Sequence, residues 1–313
     1  MHMKKKKKGV SRDAVSCMTP SKIRFMLAFF VPTICLHLWL NIYPIFSSLE
    51  KSLTNWDGFD ANPLFVGIDN YKKILTDSVF WLAIKNDFVI VFWKEIIMVT
   101  LALFFAVLAT RGRISKAEKV AYRFMFYIPD VLSIIVITTC WTFILNPRIG
   151  LLNGLLNVLG LERVIPTNGW LVEYPIPWII IIASWCGIGL YMILFISAIN
   201  NVSNDLYEAA SIDGAGQVRQ FFSITVPQIW AQIRYTLVTI FFGTLAANMG
   251  LILPLTNGGP DNKSMVMSLY VYQKGMDNYH VGYANAAAVV FMVVSLVLSL
   301  VFNGVLSKKE DNN

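Results

Sequence analysis

The chain has 313 residues, of which 56% are hydrophobic and 14% are charged, and its formal net charge is +7 at pH 7. A soluble globular domain carries about 25% charged residues, so this composition excludes the soluble class and indicates a polytopic membrane protein. No segment between the apolar runs is long enough to hold a large soluble domain.

Apolar runs define the predicted fold. Each reaches the roughly 20 residues that a helix needs to cross a bilayer. The runs are continuous rather than alternating, which favours helices over the strands of a barrel. The first run is too long for a removed signal peptide and lacks a small-residue cleavage site. We therefore predict an all-α fold with six transmembrane helices at about 25–46, 87–109, 124–145, 176–199, 235–255 and 284–306.

Lysine and arginine are concentrated in alternate connecting segments, which predicts the orientation of the chain. A basic tail at residues 1–24 precedes the first span. A second cluster follows the second span and consists of Arg111, Arg113, Lys116, Lys119 and Arg123. The positive-inside rule then places both termini, and the segment around Glu208, on the cytoplasmic side of the membrane. This asymmetry accounts for the net charge, so we expect no nucleic-acid partner.

Two ionisable residues, Lys94 and Glu95, lie inside the second apolar run, about 10 Å from its outer end. Charged groups at that depth are costly and often functional. Adjacent residues point about 100° apart on a helix, so the two side chains do not simply pair with each other. Two interpretations stay open: a position on a substrate path or subunit interface, and snorkelling of the side chains near a helix end.

The fourth and fifth spans hold further candidates. In the fourth, Gly187 and Gly189 allow close helix approach, and the aromatic Trp185 and Tyr191 either line a cavity or pack against neighbouring helices and lipid. In the fifth, Asn248 is an amide deep in an apolar run, and an amide in hydrocarbon needs a partner. Hydrogen bonding to another helix and contact with the substrate are both open for Asn248.

Residues 204–227, between the fourth and fifth spans, put apolar side chains outside the predicted bilayer. Asp205 and Glu208 predict a capping box at the start of a helix, and Gly214 suits the left-handed position at its end. A helix of about two turns is too short to be stable alone in water. The apolar side chains that need a packing partner are Leu206, Tyr207, Ile212, Phe221 and Phe222. We therefore predict that this segment docks on another protein.

The sequence carries no constellation typical of an enzyme. It has no G-x-x-x-x-G-K-[ST] phosphate loop, no H-E-x-x-H helix and no serine on a nucleophile elbow. The cysteines and histidines are scattered without metal-ligand spacing, so we expect no metal and no cofactor on this chain. Asp87 and Glu95 lie toward one side of the bilayer, and no pair of short, interrupted spans appears, which disfavours an ion-coupled transporter. We expect a transport or scaffold protein that works with a separate cytoplasmic partner.

The segment around Glu208 resembles the EAA loop of inner-membrane permease subunits in binding-protein-dependent ABC importers. The matching positions, in the order of that loop, are Glu208-Ala209-Ala210, Asp213-Gly214-Ala215, Phe221 and Pro227. Other segments resemble the carbohydrate branch, near the larger permease subunit of maltose-type importers, namely 66–71, 150–153, 255–260 and Gly282-Tyr283. The chain departs from this pattern at Asn86-Asp87, where many relatives have Asn-Thr, and at Lys94-Glu95.

The resemblance implies a six-span permease domain at residues 25–313, with a coupling loop at 204–227. It implies a second six-span permease that forms a heterodimer with this chain, two ATPase subunits that carry ATP and Mg, an extracellular solute-binding protein, and a carbohydrate substrate, an oligosaccharide or sugar derivative. ATP binding would close the ATPase dimer, move the coupling helix and rock the spans from inward- to outward-facing.

The resemblance also assigns roles to residues. Glu208 is expected to make polar contacts to the ATPase, and Gly214 to permit the bend between two helical pieces. The full set assigned to ATPase coupling is Leu206, Glu208, Ala209, Ala210, Ile212, Asp213, Gly214, Ala215, Phe221 and Pro227. The candidates for the substrate path, which come from the residues alone, are Lys94, Glu95, Trp185, Tyr191 and Asn248. Two alternatives stay open: the same machinery importing glycerol phosphate or another polar metabolite, and a stand-alone secondary transporter or channel.

Overall fold

The computed structural model describes residues 20–111 and 115–308. The basic residues of the tail at 1–19, together with Arg113, lie outside this range. The regular secondary structure of the described residues is helical, apart from an isolated β-bridge between Thr54 and Phe65. The chain divides into two compact units, residues 1–50 and residues 51–313.

The first unit is helical from Pro20 onward. It comprises α1 (Pro20–His37), a wide π-helical turn (Leu38–Ile42) and the first part of α2 (Tyr43–Ser52). Ile23–Ser52 is apolar enough and long enough to cross a membrane as one helix. The predicted first span at 25–46 lies within this helix, which continues further than the apolar run alone indicates.

The second unit is a bundle of long and short helices. The long ones that are apolar enough to cross a membrane are α4 (Ser78–Arg111), α9 (Pro175–Asn200), α13 (Trp230–Leu255) and α15 (Val281–Lys308). Shorter helices connect them: α3 (Asp69–Thr76), α5 (Lys116–Val131), α6 (Ile134–Ile144), α7 (Leu151–Val158), α8 (Trp170–Glu173), α10 (Asn204–Ile212), α11 (Gln217–Gln220), α12 (Val226–Gln228) and α14 (Met267–Tyr272). The prediction of an all-α membrane fold is confirmed.

The predicted third span at 124–145 is not one straight helix. Two segments, Ala117–Val131 and Ile134–Ile144, are bent by 102° relative to each other. Leu132 (ψ 146°) and Ser133 (ψ 135°) have extended backbone between the two segments. Pro129 has no N–H to donate within the last turn of α5, which weakens the helix just before the bend. The number of spans reaches the predicted six only when this bent pair is counted as one.

Helices α4 and α9 pack together at the centre of the second unit. Ala102 and Ala106 of α4 are fully buried, and Met192, Phe195 and Ile199 of α9 belong to the same buried cluster. Lipid tails are as apolar as these side chains, so association depends on close van der Waals packing rather than on expulsion of water. Small side chains on one helix facing large ones on the other provide this packing.

Gly189 brings α9 against the backbone of α5. A Cβ atom on Gly189 would collide with the carbonyl oxygen of Phe126 and would lie 2.6 Å from the Cα of Tyr127. Backbone cannot swing aside as the end of a flexible side chain can, so the two helices would have to separate. The sequence-based expectation that Gly189 permits close helix approach is therefore confirmed.

We expect Gly189→Ala to destabilise the purified chain by about 2 to 3 kcal/mol, because overpacking against backbone forces a shift of a whole helix. The matched control is Gly250→Ala in α13, where the nearest atom, Ile134 Cγ2, would be 3.9 Å from the new Cβ. The control should be neutral or slightly stabilising, since alanine favours helix over glycine. Thermal unfolding in detergent measures both, and equal midpoints would contradict the prediction.

Asp77 joins three helices at the end of the bundle where α4 begins. Its Oδ1 accepts hydrogen bonds from the backbone N–H groups of Val79 (2.8 Å) and Phe80 (3.2 Å), which caps α4. Its Oδ2 accepts from the hydroxyls of Tyr270 (2.7 Å) and Tyr283 (3.1 Å), on α14 and α15. The Lys274 ammonium lies 3.7 Å from Oδ2. This carboxylate therefore satisfies donors from all three helices.

Acid should weaken this junction. Burial acts to raise the pKa of Asp77, but the Tyr270 hydroxyl, the Phe80 and Val79 N–H groups and Lys274 outweigh it, so the pKa lies below its usual value. A lowered folded-state pKa means that the stabilisation is present above the unfolded pKa, about 3.9, and is lost as the pH falls through the folded value. We expect Asp77→Asn to lower the unfolding midpoint at pH 7 and the gap from wild type to close as the pH falls below about 4. A gap that stays constant down to pH 3 would contradict this.

Candidate functional site

A helical hairpin, residues 204–228, connects α9 to α13. Its first arm is α10, nine residues long, and the Ser203 side chain accepts a hydrogen bond from the Asp205 N–H at the start of this helix. Ser203 is therefore the N-cap, and the predicted capping box of Asp205 with Glu208 is wrong. The helix begins two residues earlier than that pattern indicates, which moves Asp205 into the first turn, where its negative charge still suits the helix dipole.

The hairpin turns at Gly214. This residue has φ +76°, the left-handed region predicted for it, and the Ala215 N–H donates to the carbonyl oxygen of Ala210 at 2.8 Å across the helix end. No atom lies within 4 Å of where a Cβ of Gly214 would be, so backbone conformation alone favours glycine here. The predicted bend between two helical pieces is present.

The second arm consists of α11, a π-helical turn (Phe221–Thr225) and α12. The Gln220 side chain fastens the arms together, because its Nε2 donates to the Ser211 hydroxyl and to the Ala215 carbonyl oxygen, both at 2.9 Å. Deeper in the hairpin, the hydroxyls of Tyr207 and Thr225 lie 2.9 Å apart, and both residues are buried. Hydrogen bonds of its own residues thus hold the hairpin in one shape.

The hairpin exposes apolar side chains. Ile212 is 86% exposed, Phe222 is 65% exposed and Leu206 is 43% exposed. Of the residues assigned to coupling, Leu206, Glu208, Ala209, Ile212, Asp213, Gly214 and Pro227 are exposed, while Ala210, Ala215 and Phe221 are half-buried. Tyr207 is buried, so it packs inside the chain rather than on a partner. Ala209 and Ala210 have short side chains, which leaves room for a partner to approach closely.

A cavity of about 300 Å³ lies inside the bundle beside the bend between α5 and α6. Its walls come from α4, α5, α6, α9 and α13. The polar or reactive side chains that line it are Lys94, Asp130, Cys186, Tyr191, Thr239 and Thr244. Two predicted substrate-path residues, Lys94 and Tyr191, are therefore brought together. The others have no sequence signal of their own, because they are single polar residues in separate apolar runs.

Glu95 is buried next to this cavity wall but is not part of the lining. Its Oε1 atom has no hydrogen-bond partner among the described residues. A buried, unpaired carboxylate oxygen is costly, so it marks a place where another group, from water or from a partner chain, is expected. Of the two sequence-based interpretations for Lys94 and Glu95, the positions inside the bundle favour the functional one over snorkelling.

Asn248 forms a hydrogen bond between helices. Its Nδ2 donates to Asp87 Oδ1 at 2.6 Å, and Asp87 Oδ2 accepts from the Met267 N–H at 2.8 Å. This places Asn248 in the first of its two possible roles, helix–helix bonding. Asp87 is fully buried and links α4, α13 and α14. The neighbouring Asn86 reinforces the junction by donating to the Met265 carbonyl oxygen at 2.8 Å.

Trp185 lies in a cluster of indole rings rather than on the cavity. Its ring centroid is 5.9 Å from that of Trp141, which is 6.0 Å from Trp178. Trp178 in turn contacts Trp170 edge-on at 5.6 Å. Such tilted and edge-to-face pairs stabilise packing beyond the area that they bury. The structure therefore gives Trp185 the packing role that was one of its two alternatives.

The sequence of this chain is similar to those of known transport proteins. Residues 88–310 match the sequence family described as binding-protein-dependent transport system inner membrane component. The chain is 33% identical over 294 residues to the diacetylchitobiose uptake system permease protein NgcF of Streptomyces coelicolor. This match covers 91% of this chain and 83% of that protein. It is 29% identical over 275 residues to the multiple sugar-binding transport system permease protein MsmF of Streptococcus mutans, and this match covers 87% of this chain and 91% of that protein.

A solved structure shares the fold. A crystal structure of a bacterial alginate ABC transporter, in complex with an alginate pentasaccharide-bound periplasmic protein, contains a chain that matches with a TM-score of 0.78. The two chains are 24% identical, and the match covers 93% of this chain and 96% of the other. The family match begins within α4 and includes the cavity walls, the hairpin and the whole of α15.

Proposed function

This chain belongs to the family of binding-protein-dependent transport system inner membrane components, and we propose from that premise that it is the permease subunit of an ATP-driven carbohydrate importer. As a member of the family it is a transport subunit, not an enzyme. The observation that carries the proposal is a family match that includes both the cavity and the exposed hairpin. The substrate class rests on the relatives named for diacetylchitobiose and for multiple sugars.

The hairpin is the proposed docking element for a separate ATPase. Its shape is fixed internally, and it presents Leu206, Ile212 and Phe222 to the solvent along with the carboxylate of Glu208. Apolar side chains surrounded by polar ones outside a bilayer are typical of a protein interface. ATP binding closes the ATPase dimer in this proposal and moves α10. ATP and Mg are then held by the partner chains.

The remaining partners are proposed from the same family. A second six-span permease forms a heterodimer with this chain and completes the translocation path. Two ATPase subunits hydrolyse ATP, and an extracellular solute-binding protein delivers the sugar. The hairpin then faces the cytoplasm, and both termini lie on that side, as the basic clusters predict. The unpaired oxygen of Glu95 is the kind of group that a neighbouring permease or an ordered water satisfies.

The cavity beside Lys94 is the proposed contribution of this chain to the substrate path. A sugar offers many hydroxyls, and Lys94, Asp130 and Tyr191 supply both donors and acceptors within one space. The bend of the third span supports this position, because irregular backbone at membrane depth is tolerated where it borders a cavity or protein. Thr239 and Thr244 line the opposite wall on α13.

We expect Lys94→Met to reduce sugar uptake by about tenfold, because the sugar loses one hydrogen bond from a charged donor. Stimulation of ATP hydrolysis by the loaded binding protein should persist, since the hairpin is far from this residue. The matched control is Lys85→Met, an exposed lysine on the same helix, which should transport as wild type does. Equal losses in both variants would contradict a role for the cavity.

Reconstitution tests the proposed function directly. The chain is placed in proteoliposomes with its partner permease and ATPase chains, and uptake of labelled diacetylchitobiose, maltotriose and glycerol 3-phosphate is measured with ATP and the binding protein. We expect ATP- and binding-protein-dependent uptake of a saccharide. Uptake of glycerol 3-phosphate alone would favour the phosphate alternative, for which Lys94 is the available cation of the cavity. Uptake without ATP or binding protein would favour a secondary transporter or channel and would overturn the proposal.

A further inference from the structure

The last residue of α4 is clamped onto the hairpin. The Arg111 guanidinium carbon lies 3.8 Å from the centroid of the Tyr207 ring, and Nη1 donates to Asn204 Oδ1 at 2.9 Å. Asn204 and Tyr207 are three residues apart on α10, so they share one face of that helix. A single side chain of α4 therefore holds α10 at two points.

The ring side of the clamp is buried, whereas Asn204 at its other end is exposed. Tyr207 is buried and also bonds to Thr225 of the second arm, whereas Leu206 and Glu208 point to the solvent. A partner that docks on Leu206 and Glu208 thus contacts side chains other than the buried ring that holds Arg111. The Arg111–Tyr207 contact is then a direct connection between α10 and α4.

Helix α4 also forms a wall of the cavity. Lys94 lies on the same uninterrupted helix as Arg111, about 25 Å away along its axis. A continuous helix transmits displacement over that distance because all of its backbone hydrogen bonds run within it. The hairpin and the cavity are therefore connected through one rigid element, with Arg111 at the junction.

We propose that Arg111 is a positioning residue that transmits movement of α10 to α4, so that ATPase docking at the hairpin changes the cavity. This rests on the proposed function. Arginine is suited to the role because its planar guanidinium stacks on an aromatic ring and donates in its own plane at the same time. Lysine keeps the charge but cannot do both. The substitution Arg111→Lys therefore separates the geometry of the clamp from the positive charge at this end of α4.

Cys186, on the cavity wall, reports the state of the cavity without any sugar. In the intact complex in lipid nanodiscs, the rate at which a small methanethiosulfonate modifies Cys186 is measured by peptide mass spectrometry, with and without ATP and vanadate. Wild type and the control Arg123→Lys, an exposed arginine of α5, should show a rate change of about fivefold or more with ATP. In Arg111→Lys we expect a change below about twofold, with ATP hydrolysis within about twofold of wild type.

A second substitution tests the same contact from the other side. Tyr207→Leu keeps an apolar side chain but removes the ring, and it should lose the response of Cys186 as Arg111→Lys does. Both variants break the contact between the guanidinium and the ring, and Tyr207→Leu also removes the hydrogen bond to Thr225, so the double variant should be no worse than the more impaired single variant. Losses that multiply in the double variant would overturn the proposal.

The remaining outcomes are also decisive. A normal ATP response in Arg111→Lys overturns the proposal while the proposed function stands. Failure of Arg111→Lys to assemble into the complex overturns it too, since the clamp would then serve folding. If wild type itself shows neither a Cys186 response nor ATP-driven uptake, the proposed function fails and the inference fails with it.

Discussion

Replacing Gly214 with proline is expected to reduce ATP-driven uptake by about 100-fold, near the upper range of coupling between two sites, while the chain stays in the membrane. The native φ of Gly214 is +76°, and proline fixes φ near −65°. Proline also removes the N–H that donates to the Ser211 carbonyl oxygen. The turn then cannot form, and Ile212 and Phe222 are no longer presented together to the proposed ATPase. Uptake into proteoliposomes and the yield of assembled complex measure the two effects separately.

Two milder variants show how much of the loss of uptake comes from the backbone conformation at Gly214. Gly214→Ala meets no steric obstacle, so its cost is only the left-handed backbone, about 1 to 2 kcal/mol, and uptake should fall partially. Gly216 has φ −69°, which any residue adopts, and no atom lies within 4 Å of where its Cβ would be. Gly216→Ala should therefore transport as wild type does. Wild-type uptake by Gly214→Pro would refute the assignment of the hairpin to ATPase coupling.

Replacing Asp87 with alanine is expected to destabilise the protein more than any other single change discussed above. Its two carboxylate oxygens accept from Asn248 Nδ2 and from the Met267 N–H, and all of these groups are buried. Alanine leaves both donors unsatisfied, at about 1 to 3 kcal/mol each. We expect the unfolding midpoint of the purified chain in detergent to fall by roughly 10 °C. The amount of chain recovered from membranes should fall with it.

Asp57 provides a matched control for this change. Its Oδ1 also accepts two hydrogen bonds, from the N–H groups of Phe59 and Asp60, both at 2.9 Å, but the residue is exposed. Water replaces the lost acceptor in Asp57→Ala, so the expected cost is below about 1 kcal/mol. Equal destabilisation in the two variants would show that burial of the Asp87 junction is not what stabilises it.

The sequence predicted the spans well because membrane crossing depends on composition, which any window of the chain reveals. It missed the bend at Leu132 and Ser133 because neither residue interrupts the apolar run. Pro129 is present, but proline alone occurs within spans without breaking them. Shortly before the break, Gly189 of α9 admits the backbone of α5 at Phe126 and Tyr127. Such a contact between distant residues leaves no local signature.

In the candidate sites too, features that depend on neighbouring residues were predictable and features that depend on distant contacts were not. The turn at Gly214 and the exposed apolar residues of the hairpin were predictable, because each depends on a few neighbouring residues. The N-cap was misassigned since Ser203 and Asp205 are both good capping residues, and only the backbone geometry decides between them. The partner of Asn248 could not be predicted, as Asp87 lies in another span. Asp130, Cys186 and Thr244 reach one cavity from separate helices for the same reason.

The hairpin bonds that join Tyr207 to Thr225 and Gln220 to Ser211 have an evolutionary consequence. A segment that is fastened by its own side chains keeps its shape when the spans around it diverge. If the hairpin docks an ATPase as proposed, lineages adapt the cavity to new solutes without altering that ATPase. The proposed function then permits one ATPase to serve several permeases that keep this hairpin while their cavities differ.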